Sequence, residues 1–151
     1  MKFAALTSLL CAVTASLALP SARTTTAKVT YDQTYDNPNG SLNSVACSNG
    51  VNGLITKGMF PCRYTDFSSL PNFPFIGGVQ GVSWNSTLCG SCWELTYNGT
   101  TIDVLAVDYA AAGFNIALEA LDQLTYDQAV ALGHVDAEFE QVSGTKCGLP
   151  A

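Results

Sequence analysis

The chain has 151 residues, 12 of them acidic and 6 basic, for a net charge of −6, and 48% are hydrophobic. An acidic balance repels phosphate backbones and anionic lipid headgroups, which argues against nucleic-acid and membrane-surface partners and leaves neutral polymers such as polysaccharides. The length suits one domain that buries a core of its own.

At the N-terminus Lys2 precedes a mainly apolar run from Phe3 to Leu19, and Ser16-Leu17-Ala18 is a small-x-small cleavage pattern. Residues 1–18 therefore read as a secretory signal peptide, which implies a secreted, extracellular or wall-associated protein. The run is short for a membrane span, and nothing comparable follows. Residues 19–28 read as a flexible Thr-rich segment, and 29–151 as the folded domain.

Lys28 to Tyr35 alternates as a strand does, and Asn37-Pro38-Asn39-Gly40 is a turn. A helical turn is expected over Val51–Ile55, ending at Gly58. Residues 60–78 carry Pro61, Pro71 and Pro74 and read as an irregular loop whose Phe67, Phe73 and Phe75 pack down. Val79–Trp84, Trp93–Tyr97 and Thr101–Val107 read as strands, the last two joined by the hairpin signal Asn98-Gly99. Asn115 is expected to cap a helix over Ile116–Leu124, and Thr125-Tyr-Asp-Gln128 resembles the capping box of a second helix ending at Gly133. Ala137–Val142 is the last strand, with Phe139 inward. Short strands with two short helices predict a mainly β fold, a small barrel with helical excursions.

Cys11 leaves with the signal peptide. Cys47, Cys62, Cys89, Cys92 and Cys147 remain, an odd number in an oxidising compartment, which predicts two disulfides and one leftover thiol. The segment Cys89-Gly90-Ser91-Cys92-Trp93 suits a papain-like nucleophile, a redox pair, half a zinc site or two structural disulfides. A nucleophile needs an imidazole, and the only histidine, His134, lies too close downstream and at an ordinary helix end. A redox pair needs a helix after it, whereas Trp93–Tyr97 reads as a strand. Zinc needs two further ligands that the chain does not offer. Structural disulfides remain, with distant partners favoured, because loops of tens of residues are each worth about 4 kcal/mol in the chain-entropy model.

Several motifs in order then resemble one family. Ser44-Val-Ala-Cys-Ser-Asn-Gly50, Gly53-Leu-Ile-Thr56, Phe73-Pro-Phe-Ile-Gly-Gly78, Cys89-Gly-Ser-Cys-Trp93, Leu105-Ala-Val-Asp-Tyr109 and Gly113-Phe-Asn-Ile-Ala-Leu118 are similar to the cerato-platanins, over roughly Val29 to Cys147. The resemblance implies a small secreted fungal protein built as a single six-stranded double-ψ β-barrel, expansin-like, stapled by Cys47–Cys89 and Cys92–Cys147, with Cys62 unmatched. It also implies binding of chitin oligomers or other wall oligosaccharides, wall loosening without clear hydrolysis, and perception by plants as a defence elicitor through a receptor. Where the family usually has histidine after its groove aspartate, this chain has Tyr109.

A glycosidase needs two carboxyl groups across the scissile bond, one kept protonated. Asp108, ending the apolar strand Ile102–Val107, is the natural candidate, with Asp32 and Asp36 as partners. A sugar-binding groove needs less: aromatic faces and hydrogen-bonding side chains. Tyr31, Trp84 and Tyr109 with Asp32, Asn85, Asp108 and Asn115 supply these, so a non-hydrolytic binder is the reading preferred, without catalytic residues, cofactor or metal. The alternatives are a weak expansin-like or endoglucanase-like enzyme using Asp108, and a surface-interaction or self-assembling protein. Sequons at Asn39, Asn85 and Asn98 allow N-glycosylation. A monomer is expected, with Cys62 offering a route to a linked dimer.

Overall fold

The protein is described from a computed structural model covering residues 25–58 and 63–150. The signal-peptide reading of 1–18 and the leftover Cys62 lie outside the described residues.

Six strands, β1 (Thr26–Tyr31), β2 (Ile76–Gln80), β3 (Cys92–Tyr97), β4 (Thr100–Ala110), β5 (Phe114–Ile116) and β6 (His134–Val142), close a barrel in the order β1-β5-β2-β4-β3-β6. The pairs β1–β5 and β2–β4 are parallel, and the other four are antiparallel. Three short helices, α1 (Leu54–Lys57), α2 (Leu118–Thr125) and α3 (Ala129–Leu132), sit in the connections. The expected mainly β barrel with helical excursions is the fold observed.

Alternation builds the interior. Val29, Leu95, Phe114, Ile116, Val135 and Ala137 face inward and are buried, and α2 adds Leu121 and Leu124 to the same core. Burial on β4 is continuous from Val104 to Val107, because its outer side is also covered. Cys47 donates its N–H to the Val107 carbonyl at 3.0 Å, and Gly90 donates to the Ala106 carbonyl at 2.9 Å. Two disulfides fasten these coverings, Cys47–Cys89 across a separation of 42 residues and Cys92–Cys147 across 55. Both members of the Cys-x-x-Cys pair thus reach distant partners.

Strand β2 carries two adjacent glycines for a steric reason. A Cβ on Gly77 would lie 2.5 Å from the Asn115 carbonyl oxygen, and one on Gly78 would lie 2.5 Å from that of Tyr109. The β2–β4 register also slips here: Gly77 pairs with Ala106 and Gly78 with Asp108. The extra residue, Val107, is a bulge that re-aims the strand as Asp108 is reached.

The Asn98-Gly99 hairpin forms as expected, with φ of 47° and 83°, the left-handed values a two-residue type I′ turn requires. Phe67 is fully buried, and Phe73 and Phe75 pack partly against the core, as expected of the Pro-rich loop.

Other expectations need correction. The segment 19–28 is not wholly flexible, because β1 begins at Thr26, which pairs with Glu138 of β6. That strand stops at Tyr31 instead of Tyr35, since the Asp32 side chain accepts the Thr34 N–H and starts a 3₁₀ turn over Gln33–Asp36. The helical turn expected at Val51–Ile55 lies at Leu54–Lys57. The strand expected at Val79–Trp84 is Ile76–Gln80, and the chain turns at Gly81 with φ of 86°. Asn115 caps no helix; it is the middle residue of β5, and α2 starts at Leu118. The Thr125 hydroxyl donates to the Leu121 carbonyl at 2.7 Å and belongs to the end of α2, while the Ala129 N–H at the start of α3 donates to the Asp122 carboxylate. His134 opens β6 and is exposed.

Candidate functional site

The bulge at Val107 sets Asp108 beside Gly78, and across β2 the next residue in the same row is Asn115, followed on β1 by Thr30. Asn115 lies between the buried Phe114 and Ile116, so the row faces out of the barrel. Gly78 in this row is covered by the Tyr109 backbone, so the row presents polar side chains on either side of a closely packed glycine. The Thr30 hydroxyl donates to Asn115 Oδ1 at 2.8 Å, which holds that amide in place.

Asp108 is held by three donors. Its Oδ1 accepts the backbone N–H groups of Ala46 and Tyr109, each at 2.8 Å, and its Oδ2 accepts the Tyr35 hydroxyl at 3.1 Å. Tyr35 is buried against Phe67, with ring centroids 6.1 Å apart. Burial first, then the charge of Asp108 and the hydrogen bond to it, push the Tyr35 phenol well above its ordinary value, so it stays protonated as a donor. All three contacts use the Asp108 oxygens as acceptors and hold the carboxyl group in one orientation.

Both of the expected carboxylate partners have roles in local backbone structure. Asp36 accepts the Leu118 and Glu119 N–H groups, each at 2.9 Å, and so caps α2 from a distant part of the chain. Asp32 is exposed, caps its own 3₁₀ turn through the Thr34 N–H at 2.8 Å, and donates its N–H to the Ile116 carbonyl. Tyr31 is half-buried at the end of β1, opposite Ile116, and Tyr109 is 58% exposed beside Asp108.

Trp84 and Asn85 form a second group. Trp84 is 63% exposed, and its indole N–H donates to Asn49 Oδ1 at 2.8 Å, which fixes the ring while leaving its faces in solvent. Asn85 adopts φ of 59°; its Oδ1 accepts the Asn52 N–H and its carbonyl accepts the Asn52 side-chain amide, both at 2.9 Å. One loop links the two groups, because Ala46, bound to Asp108, is three residues before Asn49, bound to Trp84. That spacing spans at most about 10 Å.

Tyr35, Ala46, Asn49 and Asn52 were missing from the sequence reading. Only Tyr35 left a signal: the Asp32-x-Thr34 turn pattern ends the strand early and swings the tyrosine inward. Of the sequons, Asn39 and Asn98 lie exposed in turns, whereas Asn85 is half-buried with its side-chain oxygen engaged. Trp93 is half-buried against Phe114 and Phe139. Among the described residues no group of three or more His, Cys, Asp or Glu side chains is placed to hold a metal ion.

A closed six-stranded barrel stapled by two disulfides, with an outward acid–glycine–amide row, defines a small disulfide-bonded barrel protein. A family model described as Cerato-platanin matches residues 27–149. The chain belongs to the cerato-platanin family. It is 40% identical over 150 residues to the heat-stable 19 kDa antigen of Coccidioides posadasii, covering 99% of each chain. Among solved structures it is similar to cerato-platanin 3 of M. perniciosa, with 41% identity, a TM-score of 0.76 and coverage of 83% of this chain and 100% of that one. It is similar also to the solution structure of the fungal elicitor Cerato-Platanin, with 34% identity, a TM-score of 0.67 and coverage of 80% and 95%. The barrel is thus the double-ψ type expected of the family.

Proposed function

We propose that the protein is a secreted, non-hydrolytic binder of cell-wall glycan fragments, with N-acetylglucosamine oligomers the first candidates. The observation that carries this reading is the environment of Asp108. Three donors tie both its oxygens and two helix amides occupy Asp36, so the arrangement suits hydrogen bonding to sugar hydroxyls better than proton transfer. Asn115 offers an amide in the same outward row, and Tyr109, 58% exposed, offers an aromatic ring next to Asp108. Trp84, with Asn85 beside it, adds an aromatic face where a longer oligomer would continue.

The similarity to a protein described as a fungal elicitor supports a second part of the reading, perception by a plant receptor. The assay that tests the non-enzymatic reading is release of reducing ends from chitin and cellulose. No release above buffer is expected from the unmodified protein. Release that Asp108→Asn abolishes would establish the enzyme instead.

A further inference from the structure

A concavity opens on the inner face of the barrel, the opposite face of β2 and β5 from the Asp108 row. It has a volume of about 340 Å³, within the range of small-molecule pockets, and its walls come from Ala27 on β1, Val79 and Gln80 on β2, Trp93 on β3, Phe114 on β5 and Phe139 on β6. The floor is an aromatic triad. Trp93 meets Phe114 edge-on at 5.7 Å between centroids, Phe114 meets Phe139 edge-on at 5.4 Å, and Trp93 is tilted against Phe139 at 6.0 Å. Phe114 is buried, but Trp93 and Phe139 remain partly open to solvent at the mouth. Large aromatic rings left partly wet inside a concave wall are an unfinished burial, and an apolar guest completes it.

The polar groups around the pocket narrow the class of guest. The Trp93 indole N–H already donates to Ser91 Oγ at 2.7 Å, and the Gln80 side-chain oxygen already accepts the Gly113 N–H at 2.9 Å. Of the lining side chains, only the Gln80 amide NH₂ keeps a free donor among the described residues. A sugar carries a hydroxyl on almost every carbon, and burying those without partners is costly. A hydrocarbon with a single acceptor matches the wall instead. We propose that this concavity binds a small, largely hydrocarbon molecule, about the size of a fused bicyclic aromatic, with one acceptor group directed at Gln80.

The probe is N-phenylnaphthylamine, whose emission rises in apolar surroundings, titrated into the intact disulfide-bonded protein. The expected result is saturation at one equivalent, displacement by naphthol, and no displacement by N-acetylglucosamine oligomers. Ala27→Phe, which fills the open volume from the start of β1, should weaken the probe at least tenfold. Backbone amide shifts in the unmutated protein should move at Gly81, Gly113 and Phe139, which keeps the test independent of how that variant folds. Absence of saturation, displacement by the sugar oligomers, or shifts gathered at the exposed Val51 and Trp84 would each overturn the proposal.

Discussion

The Tyr35 hydroxyl donates to Asp108 Oδ2 at 3.1 Å, joining the turn after the first strand to the bulged end of the fourth across 73 residues of sequence. The tyrosine is buried and the carboxylate half-buried, so the bond holds the acid in one orientation at the end of the outward row. Tyr35→Phe should cost about 1.5–3 kcal/mol, the range for a hydrogen bond to a charged group, measured by urea denaturation. It should also loosen Asp108 and weaken any ligand of the groove.

The same pair sets a pH dependence. The folded-state pKa of Tyr35 is raised above its unfolded value of about 10, so the folded state keeps a proton that the unfolded state releases as pH climbs. This contribution is fully present below about pH 10 and is lost as pH rises further. The stability gap between the unmodified protein and Tyr35→Phe should therefore stay constant up to about pH 10 and narrow as pH rises above it, read by parallel denaturation curves.

Asp36 is a helix cap in this structure. Asp36→Ala removes the acceptor for two α2 amides and should destabilise by about 1 kcal/mol, whereas Asp36→Asn should recover part of that. Glycan titrations should be unchanged in both variants.

Trp84 is exposed, so its truncation separates binding from folding. Trp84→Ala should change stability by less than about 0.5 kcal/mol. It should weaken long N-acetylglucosamine oligomers by about tenfold, equivalent to about 1.4 kcal/mol, and short ones much less. Calorimetric titration of both lengths makes the comparison.

Cys92 and Cys147 tie the first residue of β3 to the C-terminal turn across 55 residues. The double variant Cys92→Ser, Cys147→Ser should lose about 2–5 kcal/mol, visible as a lower midpoint of thermal unfolding.

What was legible in the sequence was local. Asn98-Gly99 specifies its own turn, and the Cys89–Cys92 spacing with a following strand argues for distant disulfide partners. Asp108 stood out because it ends an apolar run. Its contacts did not, because Ala46 contributes a backbone N–H that any residue has, and the turn that swings Tyr35 inward does not say that barrel closure brings it to Asp108. The helix expected over Ile116–Leu124 begins later for the same reason. Ile116, Leu118, Leu121 and Leu124 fall near a helical period, but pairing of Phe114–Ile116 with β1 and β2 takes the first of them into the sheet. The true cap, Asp36, lies 82 residues before Leu118 and leaves no local mark.

The central claim is that the Asp108 row binds wall glycan without cutting it. The most direct measurement is amide NMR of the labelled protein during titration with an N-acetylglucosamine hexamer, with the oligomer's length followed in the same tube. Saturable shifts at Ala46, Asp108, Tyr109 and Asn115, with the oligomer intact at the end, are the predicted result. A silent row, or an oligomer shortened at a rate that Asp108→Asn abolishes, would contradict it.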